Sequence, residues 1–522
     1  MTVRPMRLVG MLAGGALFGK LLGFVRELEM ARLIGAGALA DSLRGALTAV
    51  LLPINPLQGE LMTAGMIPLL REWREHERGP QLTASLVFSF LLLGLLLMAV
   101  VVLAAAPWVG LLLAGFGPDA QEMTVRLVRI MALAIPASIL TAALSGVEVS
   151  VGQSRITVLR MSLQNLGVIV GIGVMAVTGR PEAIAWGFAI AFNLVAVLGC
   201  VSVARKELLM IRGVRPSVIR EATDAFLRRA KSLLLLPFLE QGNLLLERML
   251  ASAAVVGTLA SLEYARTLTE CALFLVSQPI GYVLLTRRID DHAMLRQQIR
   301  SIVMPLLALC VPASAFLACF PTEIVSLLFE RGRFGEQAVS LTAGALIGIS
   351  AGLWASTIGW ILLRLLNAGG RNTAAAFVVG TAWCINALVN AVLAPHLGVL
   401  GLALGEAARG LALLVGTVLA LGVFSLVLRQ VALASVMAAL LMMVAFAVKQ
   451  AVGGTPVMRL LAGGVPFAVI SLCWLYFTMP PEMRRRLGLD RLALRRRPRS
   501  HGPAAGPPPA STRPIIEGRF ET

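Results

Sequence analysis

Apolar residues run in long stretches down most of this chain, broken by short polar connections. Fourteen such stretches stand at roughly 7–26, 38–70, 82–106, 123–148, 156–178, 183–204, 230–254, 259–286, 299–320, 337–366, 373–394, 398–425, 430–449 and 457–478. About 20 apolar residues suffice to cross the hydrocarbon core of a bilayer as a helix. The pattern therefore predicts an all-α polytopic membrane protein with about fourteen transmembrane helices. Proline removes a backbone donor and kinks a helix. Pro53 and Pro56 in the second stretch and Pro279 in the eighth predict interruptions, and broken helices at matching points of two halves point to a transport site.

Charge interrupts the pattern at two places. Lys20, Arg26, Glu27, Glu29, Arg32, Asp41 and Arg44 thread the first two stretches. Glu240, Glu247, Arg248, Glu263, Arg266 and Glu270 thread the seventh and eighth. An ionised side chain at the bilayer centre costs about 2.5–3.5 kcal/mol on insertion scales, so such residues face a wet cavity or a partner. The two strips superpose with an offset of 222 residues: Arg26 falls on Arg248, Gly35 on Gly257, Asp41 on Glu263, Arg44 on Arg266 and Gly59 on Gly281. In both copies an acid precedes an arginine by three positions, which places the two on one helix face. Each copy begins after an even number of stretches, so the copies point the same way through the membrane. The expected architecture is two six-helix lobes, 1–212 and 213–425, related by a parallel pseudo-twofold axis around a cavity. Two helices at 426–480 are additional. A basic tail, 481–522, is rich in Pro and Gly and is expected to be disordered.

Composition agrees with the pattern. Mean hydropathy is +0.83, and 57% of residues are hydrophobic against 14% charged. The formal net charge of +18 does not point to nucleic acid, because the Lys and Arg residues concentrate in the connections after even-numbered stretches. Arg71, Arg74 and Arg78 are one group, Arg205 to Lys231 another, then Arg287 to Arg300 and the tail from Arg484. That asymmetry places both termini in the cytoplasm; Arg331 and Arg333 are the exception. The tail arginines are expected to meet anionic membrane lipids. The six cysteines lie singly in apolar runs and the four histidines in connections or the tail, so neither a disulfide nor a metal site is expected. The far-side connections are too short to house a catalytic domain, which argues against an enzyme. No catalytic residue and no cofactor is assigned.

A ligand carrying phosphate is the chemistry that arginine forks suit best. Lys20, Arg26, Arg44, Arg248 and Arg266 are the candidate cations. Asp41, Glu263 and Glu270 are their candidate counter-ions in the empty cavity, and Asn243 is a further polar candidate.

The segments KLLGFVRELEMARLIGAGALAD, EQGNLLLERMLAS, LLFERGRF, and LLNAGGRNTAAAF with the later PHLGVLGLALGEA resemble, in order, the first, seventh, ERGxF-type and eleventh-to-twelfth span motifs of the MurJ/MviN family. The resemblance covers most of residues 10–425. It implies the fold of the multidrug/oligosaccharidyl-lipid/polysaccharide exporters. It also implies a flippase that moves lipid II, the undecaprenyl-pyrophosphate-linked peptidoglycan precursor, across the bacterial inner membrane by alternating access. Cell-wall synthesis or division proteins are candidate partners. By the same resemblance, spans 13 and 14 form a groove for the polyprenyl tail, and Arg26, Asp41 and Glu270 match family positions. Lys20 stands where arginine is usual. Two departures stand out: PINPLQG lacks the family's second-span arginines, and YARTL replaces YADRL, with Thr267 at the usual arginine site and Arg266 one position early. Arg44 is a candidate replacement for the lost charge. These departures keep open an O-antigen or exopolysaccharide repeat-unit translocase. A cation-coupled drug exporter fits less well, since it calls for an acid-dominated cavity.

Overall fold

The computed structural model describes residues 5–59, 61–205, 208–210, 214–231, 234–284 and 292–478. Arg4, Lys206, Arg212, Arg287, Arg288 and the arginines of the tail lie outside the described residues. Among the described residues, twenty α-helices follow one another. The first ten are α1 (Pro5–Ile34), α2 (Ala38–Leu51), α3 (Asn55–Gln58), α4 (Ile67–Trp73), α5 (Gly79–Leu103), α6 (Ala105–Leu112), α7 (Pro118–Met131), α8 (Ile135–Ser150), α9 (Arg155–Thr178) and α10 (Glu182–Ala204). The second ten are α11 (Pro216–Ala230), α12 (Leu235–Ser252), α13 (Thr258–Leu284), α14 (His292–Cys319), α15 (Pro321–Phe329), α16 (Glu336–Ala368), α17 (Asn372–Leu397), α18 (Val399–Leu421), α19 (Phe424–Ala451) and α20 (Pro456–Thr478).

Among the described residues, nine helices are long and apolar enough to cross a membrane, or ten if the bent pair Val303–Cys319 and Pro321–Phe329, meeting at 78°, is one span. The expected count of about fourteen is not established by that test. The helices outside it include α1, α2, α12 and α13, which carry the two charged strips.

Pro53 and Pro56 break the second stretch as expected: α2 ends at Leu51, α3 is one turn, and a π-helical stretch, Leu61–Met66, leads into α4. Pro279 does not end its helix; α13 runs on to Leu284, as proline is tolerated where neighbouring groups re-satisfy the backbone. The long basic connection is not all loop. Val218, Ala222, Phe226 and Ala230 recur every four residues and are buried, giving α11 one apolar face. That face packs on α5, with Phe226 edge-on to Phe90 at 5.2 Å and Thr223 bonded to Ser89 at 3.0 Å. Arg229 pairs with Glu72 at 2.6 Å. α11, which follows the expected boundary at 212/213, thus packs against helices of the first lobe.

Small residues set the close contacts inside each lobe, as expected where lipid removes the hydrophobic drive between helices. Gly15 and Gly19 of α1 face α9; a Cβ on them would fall 2.3 Å from Val158 Cγ1 and 2.9 Å from Met161 Cβ. Gly348 and Gly352 of α16 face α18 in the same way, at 2.5 Å from Ala403 Cβ and 2.2 Å from Ala407 Cα. This packing turns the charged faces of α1, α2, α12 and α13 toward the space between the lobes. α19 and α20 pack outside the second lobe against α14 and α15, with Glu323 of α15 tied to Lys449 at 3.4 Å and to Arg459 at 3.9 Å.

Candidate functional site

A cavity of about 500 Å³ lies between the lobes. Its walls join α1, α2, α9 and α10 of the first lobe to α12 and α13 of the second. Leu47, Met161, Val168, Ile184, Phe188 and Phe192 supply an apolar wall, and Lys20, Arg26, Glu27, Arg44, Arg248, Glu263 and Glu270 a charged one.

The first lobe sets two arginines against one acid. Glu27, 1% exposed, accepts from Arg26 Nε at 3.1 Å and Nη2 at 2.5 Å, and from Arg44 Nη1 at 3.2 Å as well as Nη2. Asn165 of α9 steadies this group: Arg26 Nη1 donates to its Oδ1 at 2.9 Å, and its Nδ2 donates to Gly19 O at 3.0 Å. The second lobe repeats the motif. Glu263 accepts from Arg248 and from Arg266 at 3.0 Å. Arg266 also donates to Glu247 at 2.5 Å and Glu406 at 2.8 Å. Arg409 closes the network on Glu406 at 2.9 Å and lies over the Trp383 ring at 4.7 Å. The pairs Arg26/Arg44 and Arg248/Arg266 are the ones the 222-residue offset aligns. Lys20 meets Glu270 across the lobes at 3.1 Å.

Six of the nine sequence-derived residues line the cavity: Lys20, Arg26, Arg44, Arg248, Glu263 and Glu270. Asp41, Asn243 and Arg266 do not. Asp41 was expected as a cavity counter-ion. Its carboxylate instead reaches the other lobe, accepting from Gly257 N–H at 2.6 Å and Ala260 N–H at 2.8 Å. Those are buried donors at the start of α13 that have no partner within the helix, and an anion there is favoured by the helix dipole. Arg266 is turned into the second lobe's own acids, and Thr267 takes the cavity-facing place. One residue of shift rotates a helical side chain by about 100°, at 3.6 residues per turn. Asn243 is buried in α12, its Oδ1 without a partner among the described residues. Arg248 is also buried, with Nε and Nη1 lacking acceptors among the described residues. Arg26 to Arg32 belong to α1, which is helical to Ile34. The neighbours Glu247 and Arg248 each pair across helices, Glu247 with Arg266 and Arg248 with Glu263.

Sequence reasoning passed over Gln164, Asn165 and Asn55, which all line the cavity. The adjacent amides Gln164 and Asn165 inside an apolar stretch were the available signal. Asn55 sits at the proline break and donates to Gln241 of the second lobe at 3.2 Å.

Beyond the charges, one end of the molecule is sealed. Tyr264, fully buried, donates its hydroxyl to Gly35 O across the lobes at 3.0 Å. Its ring packs on Phe329 at 5.2 Å and Phe334 at 5.5 Å. Arg333 N–H donates to Arg32 O at 2.9 Å. Gly35 and Gly257, equivalent in the repeat, both have positive φ (78° and 96°). A Cβ on Gly35 would lie 2.5 Å from Arg333 O, and one on Gly257 2.3 Å from Ala36 O. Glycine at both turns thus lets each lobe's turn press against backbone of the other lobe.

Known proteins resemble this chain in sequence and fold. A family model described as lipid II flippase MurJ matches residues 30–479. A probable lipid II flippase MurJ of Rhizobium tropici is 28% identical over 428 residues, covering 76% of this chain and 77% of that protein. A lipid II flippase MurJ of Burkholderia cenocepacia is 24% identical over 413 residues, covering 75% and 79%. Among solved structures, a lipid II flippase MurJ in an inward closed conformation superposes with a TM-score of 0.76 at 16% identity, over 88% of this chain and 97% of that one. A MATE transporter of Vibrio cholerae reaches 0.57 at 16% identity, over 80% and 96%. The described residues are helical and share the fold of these transporters, the chain is a multi-pass membrane protein, and the match across residues 30–479 shows that it belongs to the lipid II flippase MurJ family.

Proposed function

We propose that this chain carries a polyprenyl-diphosphate-linked saccharide, lipid II above others, across the bacterial inner membrane by alternating access of the inter-lobe cavity. The observation that supports this most is the cavity's charge. Arg26, Arg44 and Arg248 converge on it from both lobes, and guanidinium forks match phosphate oxygens geometrically. Glu27 and Glu263 hold those forks in the empty state, limiting the cost of buried unpaired charge. An arriving diphosphate competes for the same donors, and its stronger attachment to one state shifts the balance between states. The substrate name comes from the relatives, which are described as lipid II flippases.

The excess of Lys and Arg after even-numbered spans favours cytoplasmic termini, which puts the sealed end, with the 35–37 and 253–257 turns, outside. By family resemblance, the polyprenyl tail lies along α19 and α20, whose outer faces expose Met443, Phe446, Leu461, Val465 and Leu472.

A second reading, a translocase for O-antigen or exopolysaccharide repeat units, draws on Thr267 and Asn55 in the cavity, where the family pattern has arginines. Complementation separates the two. The chain should restore growth to cells depleted of their own lipid II flippase, and Arg26→Ala should abolish the rescue. Good membrane expression of the unmodified chain with no rescue would sink lipid II as substrate and leave the second reading in place.

A further inference from the structure

We infer that Arg44 transmits occupancy of the cavity to the outer seal through the ring of Tyr264. This rests on the proposed reading of the cavity as a diphosphate site. Arg44 touches both regions. Its Nη atoms hold Glu27 on the cavity side, and its guanidinium carbon lies 5.3 Å from the centroid of the Tyr264 ring. Tyr264 is itself the centre of the seal, bonded to Gly35 O at 3.0 Å and packed on Phe329 and Phe334. Both side chains are nearly dry, at 5% and 0% exposure, the setting in which a cation over an aromatic face counts most. Three residues earlier on the same helix face, Asp41 holds the Gly257 and Ala260 amides of the other lobe. One face of α2 therefore carries a cavity cation and the latch of the seal.

A diphosphate brings more negative charge than the single carboxylate Arg44 now holds. Drawing the guanidinium toward the ligand takes the cation from the Tyr264 ring and removes the brace that keeps α2 against α13. Binding then loosens the seal, and by reciprocity a tight seal weakens binding. The family's second-span arginines are absent here, so this route runs through a residue particular to this chain's pattern.

The seal reports on itself through the Gly257 and Ala260 amides, whose acceptor is Asp41. The experiment uses the full chain in lipid nanodiscs with undecaprenyl diphosphate as probe. Native mass spectrometry reads binding, and hydrogen–deuterium exchange reads the 253–262 segment. In the unmodified chain, saturating probe should speed exchange there about tenfold, within the usual range of coupling between sites. Arg44→Gln without probe should already exchange at about the probe-bound rate, and probe should add little. Tyr264→Phe, which keeps the ring, should retain the probe response from a raised baseline; Tyr264→Leu should lose it. Failure of the unmodified chain to bind the probe overturns the cavity reading itself. Probe binding with unchanged seal exchange overturns the transmitter alone. So does Arg44→Gln exchanging as slowly as the empty unmodified chain, or equal responses from the Phe and Leu variants.

Discussion

The two lobes answer the same structural problem with different acids. Each sets a repeat-related arginine pair, Arg26/Arg44 or Arg248/Arg266, around one carboxylate. In the second lobe that carboxylate is Glu263, and Glu247 and Glu406 join it, so three acids face Arg248, Arg266 and Arg409. In the first lobe the residue equivalent to Glu263 is Asp41, and it has left its own arginines to hold the opposite lobe's α13. Arg26 and Arg44 are left sharing Glu27. The first-lobe clamp carries a surplus positive charge, whereas the second-lobe network is balanced. On the proposed reading of the cavity, an anion entering it is drawn to the first lobe, and the second lobe provides the balanced wall.

Removing charge while keeping shape tests this division most severely. Asp41 uses both oxygens, one for Gly257 and one for Ala260. Glu263 uses Oε1 for both of its arginines. Asp41→Asn turns an amide NH₂ against a backbone N–H and leaves that donor unsatisfied, at about 1–3 kcal/mol. Glu263→Gln keeps an acceptor at Oε1 and loses only charge assistance, about half of each bond's strength. We expect Asp41→Asn to abolish complementation and Glu263→Gln to weaken it by less than about tenfold, a factor equivalent to about 1.4 kcal/mol. Equal losses in growth assays at matched expression would erase the proposed division of labour.

The next contrast sits within one helix turn. Arg266 belongs to the balanced network, and Thr267 faces the cavity. Thr267→Arg should therefore tighten binding of undecaprenyl diphosphate about tenfold by adding a charge-assisted fork, worth about 1.5–3 kcal/mol. Arg266→Gln should lower thermal stability, since it leaves Glu247 and Glu406 in deficit, with binding changed less than about twofold. A larger effect of Arg266→Gln on affinity than on stability would restore Arg266 to the substrate site.

The sequence showed the charges but only part of their employment. Both strips, the 222-residue repeat and the proline break at 53–56 were legible because each is local or strictly periodic. Six of nine candidate residues line the cavity because α1, α2, α12 and α13 each turn a polar face toward the space between the lobes. Asp41 was misassigned because its partner is a backbone turn more than two hundred residues away, and a free N–H at a helix start leaves no side-chain signature. Arg266 illustrates a related limit. Position in the repeat identified it, but the acids it faces come from α12 and α18, which only packing brings together. Asn165 escaped notice because an amide in an apolar stretch looks like any other polar interruption until Gly15 and Gly19 bring α9 against α1.

The smallest expected effect lies at a solvated charge pair that the repeat does not duplicate. Lys20 aligns with Gly242, and Glu270 with Thr48. Their side chains, 29% and 65% exposed, meet at 3.1 Å. A solvated pair of this kind contributes about 0–1 kcal/mol, and salt screens it within roughly 10 Å at 0.1 M. Glu270→Gln should accordingly shift thermal stability by less than about 1 kcal/mol, and less still in high salt. It also removes a negative charge beside the surplus positive charge of the first lobe. Affinity for undecaprenyl diphosphate should then rise about two- to fivefold at low ionic strength and fall back as salt is added. A salt-independent loss of affinity would instead make Glu270 a direct ligand of the head group, and the cavity's charge asymmetry would have to be redrawn with an acid on its binding face.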